Sequence, residues 1–252
     1  MAHDKQKVID IALAEVGYLE KASNSQLDSK TANAGDKNRT KYSRDLESIN
    51  FYNGNKQGVA WCDVFVDWCF VQAYGKADAL AMTYQPTTAK NNAGAGCKYS
   101  RSYYKSKGKL FDAPQVGDQI FFYSADKTQI AHTGLVYKVD GSKVYTVEGN
   151  TSGASGVIAN GGGVCKKSYN LTYGRIAGYG RPNYGEQSAA VTPTQPTEAP
   201  TYTLYTIQKG DTLWRIAQKH LGAGNRYKEI MQLNNMQKDV IYAGKQLKIP
   251  KG

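Results

Sequence analysis

Residues 192–200 read Thr-Pro-Thr-Gln-Pro-Thr-Glu-Ala-Pro, inside a stretch from Ser188 to Thr201 that is too rich in proline and too poor in apolar side chains to enter a core. Proline fixes its own φ and brings no backbone donor, so this stretch predicts an extended, semi-rigid spacer over residues 183–202. The chain is therefore read as two folded parts, residues 5–182 and residues 203–250. With 252 residues in all, the first part is long enough to bury a sizeable core without staples and the second is a small module.

In the first part, the run Trp61-Cys62-Asp63-Val64-Phe65-Val66-Asp67-Trp68-Cys69-Phe70 is apolar almost all round, interrupted only by Asp63 and Asp67 at i, i+4. The spacing predicts a buried helix with one wet strip, closed by Gly75. Cys62 falls in its first turn, where unpaired N–H groups and the helix dipole favour an anion and lower a thiol's pKa. The thiolate is the nucleophilic form. Cys69 lies two turns further on the same face and reads as core.

The chain has three histidines: His3 at the start, His132, and His220 in the second part. Any cysteine–histidine chemistry in the first part thus has one interior base. Ile130 to Val139 is rich in strand formers, is followed by an Asp140-Gly141 turn, and leads into a second strand from Lys143 to Gly149, which predicts a hairpin. If the extended geometry persists, Glu148 and Asn150 project the same way and face His132 across it. An oxygen accepting from one imidazole nitrogen fixes the tautomer and leaves the other nitrogen to take the proton from Cys62. Taken singly, each of these residues has a blander reading, as a core thiol, a satisfied sheet histidine or a solvated carboxylate.

Together with Gly117-Asp118-Gln119-Ile120-Phe121-Phe122, His132-Thr133-Gly134-Leu135-Val136, Val147-Glu148-Gly149-Asn150-Thr151 and the closing Arg175 to Pro182, these residues resemble the CHAP family of cysteine, histidine-dependent amidohydrolases and peptidases over roughly residues 5–182. The resemblance implies an α+β, papain-like domain in which the helix carrying the cysteine packs on an antiparallel sheet. It implies Cys62 as nucleophile, His132 as general base and acid, Glu148 as the residue orienting His132, and Asn150 as a further polar member of the site. The chemistry expected is attack of the Cys62 thiolate on an amide carbonyl, with protonated His132 donating to the leaving amine. The Cys62 N–H, at a helix start, is the candidate for one oxyanion donor.

In the second part, Tyr205 to Gln208 reads as a strand and Gly210-Asp211-Thr212 as a turn. Leu213, Ile216, Ala217, His220 and Leu221 then keep helical spacing up to Gly222, with His220 on the inner face. A second helix runs through Tyr227, Ile230 and Met231 to Asn234, and Gln246 to Pro250 closes as a strand. This βααβ order and the run from Tyr205 to Ala217 are similar to the LysM family over residues 203–250. That family binds N-acetylglucosamine-containing glycan in a shallow groove. The resemblance implies Gly210, Asp211, Thr212 and Leu213 on one side and Ile241, Tyr242, Ala243 and Gly244 on the other. Asp211 and Thr212 could equally serve only to cap the helix.

The net charge of +11 is carried by both folded parts, at +6 over residues 1–180 and +6 over residues 201–252. Such surfaces are drawn to anionic wall polymers. A nucleic-acid partner is not expected, because the positive charge is dispersed among 21 acidic residues with no basic run or binding motif. No window approaches a transmembrane span, so no membrane insertion is expected. Met1 to Lys7 leads straight into the amphipathic Val8, Ile9, Ala12, Leu13 and Val16, unlike a hydrophobic leader, which fits either synthesis without a signal peptide, in the manner of a phage endolysin released to the wall through a membrane pore, or a secreted protein whose leader has been removed. With Cys62 free, Cys69, Cys97 and Cys165 are an odd set; free thiols are expected, a Cys97–Cys165 bridge being the alternative.

Residues 24–57 are polar and read as a loop and short helix flanking the substrate groove, with Tyr42, Phe51 and Tyr52 as anchors. Asp28, Asp36, Asp45 and Glu47 form no close-spaced calcium loop, so no metal or other cofactor is expected; a structural calcium is the alternative. The whole reads as a monomeric hydrolase of bacterial peptidoglycan, either an N-acetylmuramoyl-L-alanine amidase or a stem or cross-bridge endopeptidase. The alternatives are a non-catalytic wall-binding protein, a host autolysin and a protein-directed thiol protease.

Overall fold

The computed structural model describes residues 3–185, 202–208, 210–234, 236 and 239–250. Residues 186–201, which hold almost all of the expected spacer, lie outside the described residues. The chain divides into two compact units, residues 1–188 and 189–252.

The first unit sets four helices on one sheet. Its elements are α1 (Lys5–Ala14), α2 (Lys41–Ser48), α3 (Cys62–Met82), α4 (Cys97–Ser106), β1 (Leu110–Phe111), β2 (Gln119–Tyr123), β3 (Ile130–Asp140), β4 (Lys143–Thr151), β5 (Gly163–Asn170) and β6 (Ile176–Gly180). The six strands run β1-β6-β2-β3-β4-β5, every neighbouring pair antiparallel. The Asp140-Gly141 turn stands where the sequence puts it, with Gly141 at φ 56°, the left-handed geometry a tight hairpin needs.

Alternation on the strands divides the core. Leu135, Val147 and Val164 pack with Val64, Phe65, Phe70 and the apolar faces of α1 and α2, while Ile120, Phe122, Val136, Val144 and Tyr169 form a second cluster. In α3, Gly75 takes φ 78° and ψ 168°, so the helix kinks there and resumes to Met82 instead of closing. The expected wet strip is absent: Asp63 and Asp67 are both 0% exposed. They are tolerated inside because each is hydrogen-bonded, Asp63 by Ser100 Oγ at 2.6 Å and Gln119 Nε2 at 2.8 Å, and Asp67 by Tyr52 Oη and Gln85 Nε2, each at 2.6 Å. Two partners per carboxylate from other elements were not visible in the helical spacing.

Tyr42, Phe51 and Tyr52 are 0%, 1% and 5% exposed, so they hold their segment to the core and present no side chain to a groove. Tyr42 packs its ring 4.9 Å from Trp68 and 5.6 Å from Trp61, measured between centroids, which explains the burial.

The second unit is βααβ: β7 (Tyr202–Thr206), α5 (Leu213–Leu221), α6 (Tyr227–Leu233) and β8 (Gln246–Pro250), with β7 and β8 antiparallel. Thr212 caps α5 by accepting from Arg215 N at 3.2 Å, and Gly222 ends it at φ 79°. Its core is Ile207, Leu213, Ile216, Ala217, Leu221, Ile230, Leu247 and Ile249. His220 does not join them; it is exposed, with its ring 4.9 Å from that of Tyr205. Asn234 ties the closing strand to α6, donating to Ile230 O and Lys248 O and accepting from Lys248 N.

Candidate functional site

Cys62 is the first residue of α3, and Trp61 before it offers no side-chain cap. No side chain therefore caps the N–H groups of the first turn, and the Asp63 N–H there favours the Cys62 thiolate. The start of the helix is held from beneath: the buried Trp61 indole donates to Glu20 Oε2 at 2.9 Å. Glu20 lies 41 residues away in sequence, so the contact leaves no local pattern.

The strand that brings the carboxylate runs close against this helix. A Cβ on Gly149 would stand 2.6 Å from Phe65 Cβ and 2.9 Å from Trp61 Cζ3, so only glycine lets β4 approach there. Gly134 does the same for the side chain of Glu148: a Cβ at 134 would lie 2.4 Å from Glu148 Cγ. Through that gap Glu148 reaches His132.

His132 Nε2 stands 2.9 Å from Glu148 Oε2, both side chains wholly buried. Glu148 also accepts from Thr146 Oγ1 at 2.5 Å and from Tyr169 Oη at 3.1 Å. An acceptor already facing two hydroxyl donors is best satisfied as a carboxylate, so Nε2 carries the proton it shares. The other ring nitrogen, Nδ1, is buried without a hydrogen-bond partner among the described residues.

The Cys62 thiol is held well below the ordinary thiol range. The chief cause is interaction with Cys97; interaction with the neighbouring His132 and its charge add to it, and the two together outweigh the opposing effect of burial. Burial alone would lower the pKa of His132, but interaction with Cys62 and Glu148 raises it to about 10. Both shifts run in the direction of a thiolate beside an imidazolium, and Nδ1 is the ring nitrogen that Glu148 leaves free.

Asn150 departs from expectation. The pairing of β4 slips between Glu148 and Thr151, and Asn150 takes φ 55°, so the extended alternation does not continue. Its amide faces the 160–162 loop instead of His132, with Oδ1 accepting from Gly162 N and Nδ2 approaching Asn160 Oδ1, each at 3.4 Å. Among the described residues no group of three or more histidine, cysteine or acidic side chains is placed to hold a metal ion. Two of the carboxylates considered for calcium, Asp28 and Asp45, both face the Arg44 guanidinium, at 2.7 Å and 2.8 Å. All four cysteines are free thiols.

In the second unit a groove of about 500 Å³ is lined by Asp211, Thr212, Leu213, Trp214, Tyr227, Asp239, Val240 and Ile241. Four of the eight expected residues are on this wall. Gly210, Tyr242, Ala243 and Gly244 are not; Tyr242 is 69% exposed beside the groove, and Gly244 serves the turn at φ 83°. Asp211 is also structural, accepting from Tyr205 Oη at 2.8 Å and Gln208 N at 2.7 Å. The sequence reading missed Trp214, whose indole is 55% exposed yet rests on Gly224, where a Cβ would come within 2.1 Å. A tryptophan on the polar face of an amphipathic helix was the available signal.

A mixed helix–sheet unit with a cysteine at a helix start, followed by a small βααβ unit, is the architecture of a CHAP-like domain joined to a LysM-like one. Residues 53–150 match the CHAP domain family and residues 205–250 match the LysM domain family, so the chain carries a CHAP domain and a LysM domain. No curated protein matches the chain.

Among solved structures, it is similar to Ly7917 at 12% identity and a TM-score of 0.42, over 81% of this chain and 65% of that one. For Ly7917 with the hydrolyzing product of MDP the identity is 10% and the TM-score 0.39, over 83% and 66%. A protein similar to a lipoprotein of the NLP/P60 family, from Staphylococcus aureus subsp. aureus Mu50, matches at 14% identity and a TM-score of 0.30, over 72% and 43%. The chain thus spans about two thirds of the length of Ly7917.

Proposed function

We propose that this protein is a peptidoglycan hydrolase that cleaves an amide bond by cysteine–histidine catalysis and is targeted to the bacterial wall by its LysM domain. The observation that carries the reading is the buried His132–Glu148 pair at 2.9 Å with Cys62 acting on the same imidazole. The Cys62 thiolate attacks the carbonyl carbon, and first-turn N–H groups of α3 receive the developing oxyanion. As the tetrahedral intermediate collapses, His132 passes its proton to the leaving amine, and a thioester remains on Cys62. His132 then takes a proton from water, which hydrolyses the thioester and frees the carboxylic acid.

The LysM domain supplies binding without chemistry. Trp214 offers an exposed aromatic face beside the backbone turn at Asp211 and Thr212, suited to the apolar face and acetamido group of N-acetylglucosamine. Either the muramoyl–L-alanine bond or a bond within the stem or cross-bridge fits this nucleophile, since the two differ only in groove contacts.

The deciding experiment is mass spectrometry of purified peptidoglycan digested by wild type and by Cys62→Ala. Free stems beginning with L-alanine, from wild type alone, identify an amidase, and new termini inside stems or bridges identify an endopeptidase. No Cys62-dependent product from several wall types would overturn the hydrolase reading in favour of a wall-binding protein.

A further inference from the structure

Cys97 opens α4 as Cys62 opens α3. One contact joins these helix starts, and a second ties α4 to the strand that carries His132. Ser100 Oγ, one turn along α4, donates to Asp63 Oδ2 at 2.6 Å, and Cys97 Sγ lies 3.7 Å from the backbone oxygen of Ile130, two residues before His132. Interaction with the Cys97 side chain is also the chief cause that holds the Cys62 thiol below its ordinary range, which sets the two side chains at close quarters. Both thiols are nearly buried, at 6% and 7% exposure, and neither is in a disulfide. The remaining cysteines stand elsewhere: Cys69 is 0% exposed two turns along α3, and Cys165 is on β5. Amide hydrolysis uses a single sulfur as nucleophile, so the second thiol, beyond its influence on the Cys62 thiol, has no step of its own in the chemistry above.

We propose that Cys97 is a resolving thiol for Cys62, which captures an oxidised Cys62 sulfur as a reversible Cys62–Cys97 disulfide. The proposal rests on Cys62 being the reactive thiolate of the hydrolase reading. The oxidant is a hydroperoxide. With hydrogen peroxide, the Cys62 thiolate attacks one peroxide oxygen and the O–O bond breaks. The departing hydroxide takes a proton and leaves as water, while Cys62 becomes a sulfenic acid. Cys97 sulfur then attacks the Cys62 sulfur, the S–O bond breaks, and the leaving hydroxide takes the Cys97 proton as a second water. Two electrons pass from the two thiols to the peroxide, and both of its oxygens end as water. A neighbouring thiol makes this capture intramolecular, and so faster than further oxidation to sulfinic acid, which thiol reductants do not reverse. The bridged form has no free nucleophile, so lysis stops until a thiol reductant reopens the bond.

The test uses the full chain treated with hydrogen peroxide, blocked by alkylation and digested without reductant, with peptides read by mass spectrometry and lysis measured in parallel. Wild type is expected to yield a linked peptide containing Cys62 and Cys97 and to lose lytic activity, which dithiothreitol restores. Cys97→Ser should give no such link, accumulate Cys62 as sulfinic acid and stay inactive after dithiothreitol. Cys165→Ser should behave as wild type. Sulfinic acid on Cys62 in the wild type, or a link from Cys62 to Cys69, Cys165 or a second chain, would overturn the proposal. If circular dichroism shows Cys97→Ser unfolded, the wild-type peptide link decides alone. That link is read without any lysis, so its absence is distinct from failure of the hydrolase reading, which Cys62→Ala tests.

Discussion

Glu148 reaches His132 across the position of Gly134, with Oε2 2.9 Å from Nε2, because a side chain at 134 would occupy the space that Glu148 Cγ fills. The carboxylate thereby fixes which imidazole nitrogen is left for Cys62, and its charge helps hold the ring protonated. Glu148→Gln removes that charge. It should lower kcat by roughly 10²–10⁴-fold, as loss of the orienting carboxylate does in related triads. Steady-state release of stem peptide measures it, and an unchanged kcat would remove Glu148 from the site.

Gly134→Ala tests the same relationship from the other strand. The added Cβ would meet Glu148 Cγ at 2.4 Å and the Val147 backbone oxygen at 2.9 Å, so β3 and β4 must separate. The expected cost is about 1–3 kcal/mol, or a fall in Tm of roughly 2–10 °C, with loss of activity beyond what reduced stability explains. Differential scanning calorimetry with kcat measured well below Tm separates the two effects.

The pH dependence of hydrolysis follows from the ion pair. The proposed mechanism uses Cys62 deprotonated and His132 protonated. Activity should be retained until pH rises through about 10, where His132 loses its proton. On the acid side it should fall only as pH drops through the Cys62 value, well below the usual thiol range. A kcat/KM profile on a soluble muropeptide whose alkaline limb lay near the ordinary histidine value would contradict the pairing.

Asp67 sets a slope on stability. Burial, only partly offset by the hydrogen bonds from Tyr52 and Gln85, pushes its carboxyl up to about 7. The folded chain thus holds a proton that the unfolded chain has already released, so stability is lost as pH rises from the ordinary carboxylate value of about 4 towards 7. Thermal melts from pH 5 to pH 8 should show a steeper decline for wild type than for Asp67→Asn, which cannot ionise. Parallel slopes would mean that Asp67 stays charged throughout.

Wall attachment should depend on Trp214. Trp214→Ala removes an exposed aromatic face that rests on Gly224, and it should weaken binding to purified peptidoglycan by roughly 3–10-fold while leaving cleavage of a small soluble substrate intact. Pull-down with the inactive Cys62→Ala background gives the binding curve. Equal binding by the two proteins would place the glycan surface elsewhere.

The amino-acid sequence by itself carried the local facts. Apolar periodicity announced α3 with Cys62 at its start, the Asp-Gly turn announced the β3–β4 hairpin, and Thr212 and Gly222 marked the ends of α5, because caps, turns and alternation are written within a few neighbouring residues. His132 was legible for another reason, as the single interior histidine of its domain. What tertiary structure alone decided involves contacts between residues distant in sequence. The burial of Asp63 and Asp67 depends on partners from Tyr52, Gln85, Ser100 and Gln119, and the turning away of Asn150 depends on a slip in strand pairing and on the 160–162 loop. The approach of the α4 start to the α3 start depends on two helices with fourteen residues of chain between them, 83–96, held by Ser100 and Asp63. Spacing along a chain states which way a side chain points from its own element, whereas a thiol's or a carboxylate's partner is chosen by how elements pack.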